Sequence, residues 1–233
     1  MEESLLRLYL IRHGESLGNV GGIVTGQSDV PLSERGREQA RRVGEALADR
    51  PLSALYASPL SRALDTARPV SEATGATIRP VDDLRELNCG LAEGLTWLEV
   101  EARWPEFAQR YTSGNDGIAV AWPGGESGID LCERVGRVLR QIIDGPLNPA
   151  PAPHAASPLL REIAIVAHAG SIAWSLHHLL KKPLNTWPRY GLRNAGISEL
   201  IVYEYDAPAE IVRMNDVGHL GEGPVDQGQR LGR

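Results

Sequence analysis

The chain has 233 residues, 42% hydrophobic and 23% charged, so it can build a substantial core and differs from disordered and membrane-spanning proteins. The formal net charge of −6 argues against nucleic acid or an anionic membrane as a partner, and two cysteines are too few for a disulfide framework. No window approaches the roughly 20 apolar residues that cross a bilayer. The acidic first residues differ from a secretory signal. These features predict a cytoplasmic protein.

Strand-like and helix-like segments alternate along the chain. Apolar runs predict strands at residues 6–11, 54–57, 77–81, 163–167, 197–205 and 211–214. Helical spacing predicts helices at residues 33–49, 60–74, 96–103, 126–143 and 171–181. Ser33, and Ser58 with Pro59 at a first helical position, serve as start signals for two of them. The alternation predicts an α/β fold with a mostly parallel central sheet, in which ligands bind beyond the carboxyl ends of the strands.

The first predicted strand runs directly into Arg12, His13 and Gly14. A glycine at this point lets the backbone turn sharply and approach a ligand closely. His168 follows the strand at residues 163–167 in the same way, so two histidines at equivalent strand ends can converge. An isolated Arg-His pair is more often a solvated strand end, so its interpretation as a phosphate-facing pair depends on the rest of the chain.

Three segments interrupt the regular alternation. Residues 96–125 contain five aromatic side chains, which either form a cap that shapes substrate choice or fill a satellite core. Residues 145–158 are too rich in proline for a helix or strand and predict a surface loop. The glycine-rich tail at residues 221–233 is expected to be mobile. We expect residues 1–233 to form a single domain.

Several motifs occur in an order and spacing that resemble the histidine phosphatase superfamily, the phosphoglycerate mutase-like enzymes. They lie at residues 10–16 with Asn19, and at residues 26–33, 57–67, 84–94, 123–127 and 166–170. Each motif is weak alone, but together they span nearly the whole chain. The resemblance implies a three-layer α/β/α fold with a helical cap insertion at residues 96–125.

The resemblance also implies the catalytic residues. His13 corresponds to the nucleophile that becomes phosphorylated, and His168 to the second histidine of the site, which is expected to offer a donor to the phosphoryl oxygens. Glu86 corresponds to the acid that protonates the leaving alcohol. Neighbouring arginines would keep Glu86 ionised, so the bound phosphate, desolvation or both must let it hold a proton. His13 must attack as a neutral ring, which nearby cations favour, and a bond from its other nitrogen to a backbone carbonyl would fix its tautomer.

The remaining implied residues bind phosphate. Arg62 matches the family's phosphate-binding arginine, and Arg12 precedes the nucleophile. Arginine suits this task because its planar fork bonds two oxygens at once and stays charged. Backbone amides after His168, beginning at Ala169, add donors without adding charge. Asn19 and Gln27 either contact phosphate or close the loop.

Several alternatives remain open. Family mutases continue into a Gly-Leu-Asn-Lys run after the acid, whereas Gly94 and Leu95 are followed here by Thr96 and Trp97, which favours a phosphatase. A metallohydrolase could use the two histidines and Glu86, although two arginines would repel the metal. A non-catalytic phospholigand-binding module would not require Glu86. A dinucleotide-dependent oxidoreductase lacks the Gly-x-Gly-x-x-Gly fingerprint that this class uses.

The sequence therefore predicts a metal-independent, histidine acid phosphatase-like phosphoric monoester hydrolase that acts on a small phosphorylated metabolite. No cofactor is predicted, and a homodimer is left open. Structural roles are favoured for Glu93, His177 and His178. No chemical role is assigned to His219. The motifs do not specify the metabolite.

Overall fold

A computed structural model describes residues 5–150, 152 and 160–221. Its strands are β1 (Leu5–Arg12), β2 (Leu52–Ala57), β3 (Ile78–Pro80), β4 (Leu160–Ala167), β5 (Ile197–Val202) and β6 (Glu210–Asp216). They form one sheet in the order β3-β2-β4-β1-β5-β6. The neighbours from β3 to β1 pair in parallel, whereas β5 runs antiparallel to both β1 and β6. The predicted mostly parallel sheet is confirmed.

The helices connect the strands on both sides of the sheet. They are α1 (Leu17–Gly21), α2 (Glu34–Leu47), α3 (Ser61–Thr74), α4 (Trp97–Arg103), α5 (Pro105–Thr112), α6 (Gly128–Ile143) and α7 (Ala169–Leu179). Short 3-10 turns lie at Asp82–Leu84, Gly90–Ala92, Gly114–Ala119 and Gly218–Leu220. Among the described residues, no helix combines the length and apolar character needed to span a bilayer.

The sheet has a hydrophobic core on each face, because successive side chains of a strand point to opposite sides. Leu8 and Leu10 of β1 belong to the core that includes residues of α6 and α7. Tyr9 and Ile11 belong to the core that includes residues of α2 and α3. Each fully buried aliphatic side chain contributes about 1.5–3 kcal/mol to folding. The two cores hold three layers together, as the predicted α/β/α architecture requires.

Two helix predictions need correction. Ser58 and Pro59 precede α3 without starting it, since Leu60 is its N-cap residue and Ser61 its first helical residue. The side chain of Ser58 is instead buried in the site described below. Helix α5 lies within segment 96–125, which the family resemblance implies to be helical, but hydrophobic spacing predicts only the helix at residues 96–103, although Pro105 at the first position of α5 is a recognised start signal. The cap of α2 by Ser33 is confirmed by a bond from the Gly36 amide.

The aromatic residues of segment 96–125 pack mainly against one another. Trp122 is 6% exposed, and its ring lies 5.0 Å from those of Phe107 and Tyr111 and 6.1 Å from that of Trp97. Tyr111 also contacts Trp187 outside the segment, with centroids 5.3 Å apart. This cluster extends the core on the side of α6 and α7, because Trp122 belongs to that core and the other rings pack against it. The cap alternative stays a prediction.

The proline-rich segment is described at residues 145–150 and 152, where it forms neither helix nor strand. The Tyr56 hydroxyl donates to the Leu147 carbonyl oxygen, and the Ala152 amide donates to Ser53 Oγ at 3.0 Å. The remainder of this segment, and the tail beyond residue 221, lie outside the described residues. The single-domain prediction stays a prediction.

Candidate active site

Strands β1 and β4 place two histidines side by side. Arg12 pairs with Ala167 across the parallel ladder, so His13 and His168 leave the sheet at the same edge. Their ring centroids are 5.1 Å apart with the planes inclined by 60°. His13 is 4% exposed and His168 is fully buried. The structure thus brings together two side chains that are 155 positions apart in the sequence.

A backbone carbonyl fixes the tautomer of His13. Its Nδ1 lies 2.6 Å from the Gly14 carbonyl oxygen, which can only accept, so Nδ1 carries the hydrogen. In the neutral ring, Nε2 then keeps its lone pair. Burial, followed by the charges of Arg12 and Arg62, holds the pKa of His13 well below its usual range. The ring is therefore uncharged at neutral pH.

Arg62 is buried at the centre of a hydrogen-bond network. Its two terminal nitrogens donate to the carbonyl oxygens of Ser28 and Gly26, each at 2.7 Å. Its Nε donates to His168 Nδ1 at 3.2 Å. Nε2 of neutral His168 therefore carries the hydrogen and donates to Ser58 Oγ at 2.7 Å. Both ring nitrogens of His168 are engaged within the protein, a different arrangement from the direct phosphate donor that the sequence suggested.

Burial also determines the charge state of these groups. Burial, then the neighbouring His13 and Arg62, holds the pKa of His168 well below its ordinary value, so this ring is neutral. Burial lowers the pKa of Arg12 and Arg62, but a guanidinium starts so far above neutrality that both stay charged. The site thus contains two fixed cations and two neutral imidazoles.

A cavity of about 180 Å³ lies in front of these groups. Six predicted site residues contribute to its lining: Arg12, His13, Asn19, Arg62, Glu86 and Ala169. Arg12 donates to the Leu192 carbonyl oxygen at 2.6 Å, and its buried Nε has no hydrogen-bond partner among the described residues. A buried N–H without a partner is costly, so this donor is suited to a bound anion. His168 and Gln27 lie outside the lining.

Glu86 reaches this cavity from the segment after β3. Its two carboxylate oxygens accept hydrogen bonds from the amides of Leu87, at 2.8 Å, and Gly170, at 2.9 Å. Its backbone carbonyl accepts from Gln27 Nε2 at 3.0 Å and from Arg134 at 2.7 Å. Gln27 therefore contacts the backbone of Glu86, the candidate acid. This contact corresponds to the loop-closing alternative that the sequence left open for Gln27.

Asn19 and Ala169 stand at helix starts. Ser16 and Asn19 form a reciprocal capping box at α1, and Asn19 Oδ1 also accepts from Asn194 Nδ2 at 3.0 Å. Asn19 thus closes the loop and lines the cavity at once. Ala169 is the first residue of α7, whose N-terminal end carries partial positive charge. This helix end faces the cavity.

Three residues of this network were not predicted from the sequence. Ser58 accepts from His168, Thr66 Oγ1 accepts from the Gly14 amide at 3.0 Å, and Asn194 Nδ2 donates to the His13 carbonyl oxygen at 3.2 Å. A signal for Ser58 was present, because it follows β2 directly as His13 follows β1. Thr66 lies on a helix and Asn194 on a distant loop, and neither carries a comparable local signal.

The other candidate residues make contacts away from the cavity. Both oxygens of Glu93 accept hydrogen bonds from the segment at Gln27 and Ser28, which is a structural role. His177 contacts the Tyr190 hydroxyl at 2.8 Å, and His178 contacts the Cys132 carbonyl at 2.9 Å. His219 lies in the last 3-10 turn. Within the described ranges, no group of three or more His, Cys, Asp and Glu side chains is arranged to hold a metal.

A family model for the histidine phosphatase superfamily (branch 1) matches residues 8–217 of the chain. The chain belongs to this superfamily. The resemblance inferred from the motifs is therefore confirmed, and the protein is a histidine phosphatase superfamily enzyme.

Relatives within the superfamily include both phosphatases and mutases by name. The chain is 34% identical over 203 residues to a glucosyl-3-phosphoglycerate phosphatase of Mycobacterium tuberculosis, covering 83% of this chain and 84% of the relative. It is 31% identical over 229 residues to the probable phosphoglycerate mutase GpmB of Erwinia tasmaniensis, covering 97% and 100%. These identities place this superfamily member among proteins of both names.

Solved structures share its fold. A mycobacterial glucosyl-3-phosphoglycerate phosphatase aligns with a TM-score of 0.76 at 31% identity, covering 91% of this chain and 99% of that chain. That phosphatase has also been solved with inorganic phosphate. The predicted phosphoglycerate mutase-like architecture is confirmed.

Proposed function

We propose that this superfamily member is a phosphomonoesterase that hydrolyses a small phosphorylated metabolite through a covalent phosphohistidine at His13. The bond between His13 Nδ1 and the Gly14 carbonyl carries this proposal, because it leaves Nε2 unprotonated on a ring that lines the cavity. Two guanidinium groups line the same cavity and match the charge of a phosphoryl group. A neutral nucleophile beside fixed cations is suited to attack on an anionic phosphate ester.

In the first step, the lone pair of His13 Nε2 forms a bond to phosphorus as the bond between phosphorus and the alcohol oxygen breaks. Arg12, Arg62 and the N-terminal end of α7 stabilise the charge on the transferring group. Glu86, carrying a proton, donates it to the departing oxygen. The alcohol leaves, and the phosphoryl group stays on nitrogen.

In the second step, a water molecule replaces the alcohol. Glu86, now deprotonated, accepts a proton from the water as its oxygen bonds to phosphorus. The bond between phosphorus and Nε2 breaks, and its electron pair returns to His13. The products are inorganic phosphate and the starting enzyme, with Glu86 protonated again.

The acid phosphatase-like assignment is part of the same proposal. The lowered pKa of His13 keeps the nucleophile neutral in mildly acidic solution, so attack remains available below pH 6.5. We further propose a cytoplasmic enzyme that acts on a small metabolite and has no nucleic-acid or membrane partner. The net charge of −6 supports this choice of partners.

Phosphate release from a panel of phosphate monoesters tests the proposal. His13→Ala should abolish turnover and the acid-labile, base-stable phosphoprotein that forms with the native chain. Glu86→Gln should slow turnover of alkyl esters more than that of nitrophenyl esters, whose leaving group needs less protonation. His178→Gln is the matched control, because His178 contacts Cys132 and Tyr205 and lies outside the cavity lining. Normal turnover in His13→Ala would refute the mechanism.

A mutase is the second candidate, because GpmB-type relatives match nearly the whole chain. In a mutase, an acceptor alcohol would take the phosphoryl group from His13 in place of water. Interconversion of 3- and 2-phosphoglycerate without net phosphate release would establish this activity.

A further inference from the structure

A second cavity, of about 450 Å³, lies beside the phosphate cavity. Residues of α7, including Gly170 and Trp174, form one wall. The loop at residues 187–192, between α7 and β5, forms the other. Arg12 and Ala169 line both cavities, so the two spaces meet at these residues.

The sizes of the two cavities suggest that they hold different parts of the substrate. Small-molecule sites usually enclose about 300–1,000 Å³. The phosphate cavity, at about 180 Å³, is below this range, and the neighbouring cavity is within it. A phosphoryl group held between Arg12 and Arg62 therefore leaves most of a larger alcohol to be accommodated in the second cavity.

The position of Glu86 gives the direction of the leaving group. Glu86 lines the phosphate cavity, and its carboxylate accepts a hydrogen bond from the Gly170 amide. Gly170 in turn lines the second cavity. An alcohol oxygen within reach of Glu86 thus lies at the junction. The rest of the alcohol then extends from this junction into the second cavity.

Apart from Arg12 and Arg189, the residues that line the second cavity are aromatic, aliphatic or glycine. Trp187 and Tyr190 present partly exposed rings to this cavity, whereas Trp174 is fully buried and packs against Trp187 with ring centroids 6.3 Å apart. Tyr190 is held by its hydroxyl contact to His177 at 2.8 Å, with its ring edge-on to the histidine. Fixed aromatic surfaces of this kind favour flat, apolar ring groups over short polar chains.

We infer that the alcohol portion of the substrate carries a ring with an apolar face, and that this ring binds between α7 and the loop at residues 187–192. The inference rests on the proposed phosphatase function. The aromatic segment 96–125 contributes to this ring site only indirectly, because its Tyr111 packs against Trp187, which lines the second cavity. Gly128 also leaves room for this indole, since an added Cβ would lie 2.5 Å from Trp187.

Benzyl phosphate and methyl phosphate provide a matched test, because their alcohols have similar acidity and differ mainly in the ring. We expect kcat/KM for benzyl phosphate to exceed that for methyl phosphate by at least about tenfold, since burying a ring is worth more than 1.4 kcal/mol. Trp187→Ala should remove most of this ratio while leaving methyl phosphate turnover nearly unchanged. Trp187→Phe should retain much of it.

Leu98→Ala is the control, because Leu98 lies on α4 and is 74% exposed. Equal kcat/KM for the two esters, or an equal loss for both in Trp187→Ala, would overturn the inference. Binding of benzylphosphonate against methylphosphonate by calorimetry separates the two proposals. A tighter Kd for benzylphosphonate that depends on Trp187, without turnover of either ester, would support the ring site and refute the phosphatase. Equal Kd values would refute the ring site alone.

Discussion

Nε of Arg62 donates a hydrogen bond to Nδ1 of His168 at 3.2 Å, and this contact decides which nitrogen of the histidine carries its hydrogen. The guanidinium is itself held by two carbonyl oxygens, those of Gly26 and Ser28. One buried arginine therefore connects the second histidine to the loop that follows the nucleophile. The predictions below test this network and its neighbours.

Replacing Arg62 with lysine should keep the positive charge but lose the planar fork. Loss of a charged hydrogen bond costs about 1.5–3 kcal/mol, so kcat/KM should fall by roughly 10- to 150-fold. Steady-state phosphate release measures the change. Arg68→Lys is the control on the same helix, because the Arg68 side chain is 63% exposed. Equal activity of the two variants would contradict the role given to Arg62.

Ser58→Ala should destabilise the protein, because it leaves the buried Nε2–H of His168 without its acceptor. An unsatisfied buried donor costs about 1–3 kcal/mol. For a chain of this size, that corresponds to a decrease in Tm of roughly 2–12 °C. Ser58→Thr, which retains a hydroxyl, should lose less. Thermal unfolding monitored by circular dichroism distinguishes the variants, and an unchanged Tm in Ser58→Ala would argue against the contact.

The stability of the protein should depend on pH through its two active-site histidines. Both have a folded-state pKa below the ordinary value of about 6.5, chiefly because of burial. Above pH 6.5 both rings are neutral in the folded and unfolded states, and their contribution to stability is fully present. As the pH falls below 6.5, the unfolded state takes up protons first, so the free energy of unfolding decreases.

Urea unfolding at pH 7.5 and pH 5.5 measures this dependence. His168→Asn removes one of the two groups, so the difference between the two pH values should be smaller in this variant than in the native chain. The same difference in both proteins would show that His168 titrates normally.

Gly170→Ala should displace the candidate acid. An added Cβ at this position would lie 2.2 Å from Glu86 Oε1, so the carboxylate must move. We expect kcat to fall by roughly 10- to 100-fold, because displacement of the carboxylate loses part of the roughly 10²- to 10⁴-fold that general acid catalysis contributes, while the fold is retained. Gly21→Ala in α1 is the control, because its added Cβ meets nothing closer than 3.9 Å. Full activity in Gly170→Ala would mean that Glu86 tolerates displacement.

The sequence predicts the sheet well because its central strands are short apolar runs bounded by turn residues. In a central strand, buried apolar runs such as β1 and β4 can both bury their side chains and pair their backbone hydrogen-bonding groups, and few other structures allow this. Helix α5 was not recognised from spacing because its eight residues make little more than two helical turns, too few for a clear periodic pattern. Its proline start was the available signal.

Sequence reasoning anticipated that His13 and His168 lie close together and that Arg12 and Arg62 line the same cavity as His13, whereas their roles stay predictions. His13 and His168 meet because parallel strands end at one edge of the sheet, which periodicity can anticipate. The arrangement of hydrogen bonds could not be anticipated in the same way. Whether Arg62 reaches phosphate alone or also orients His168 depends on side-chain geometry across 106 positions of sequence. The contact of Asn194 with the His13 carbonyl depends on a loop that has no periodic pattern.

The guanidinium groups of Arg12 and Arg62 are held by carbonyl oxygens of the chain itself, those of Leu192, Gly26 and Ser28. The positions of both guanidinium groups do not depend on the alcohol portion of the substrate. The product phosphate therefore binds the same donors as the phosphoryl group of the ester. We therefore expect the rate of the enzyme to be restrained by its own released phosphate. In a cell, turnover would fall as the free phosphate level rises and would increase with the supply of ester.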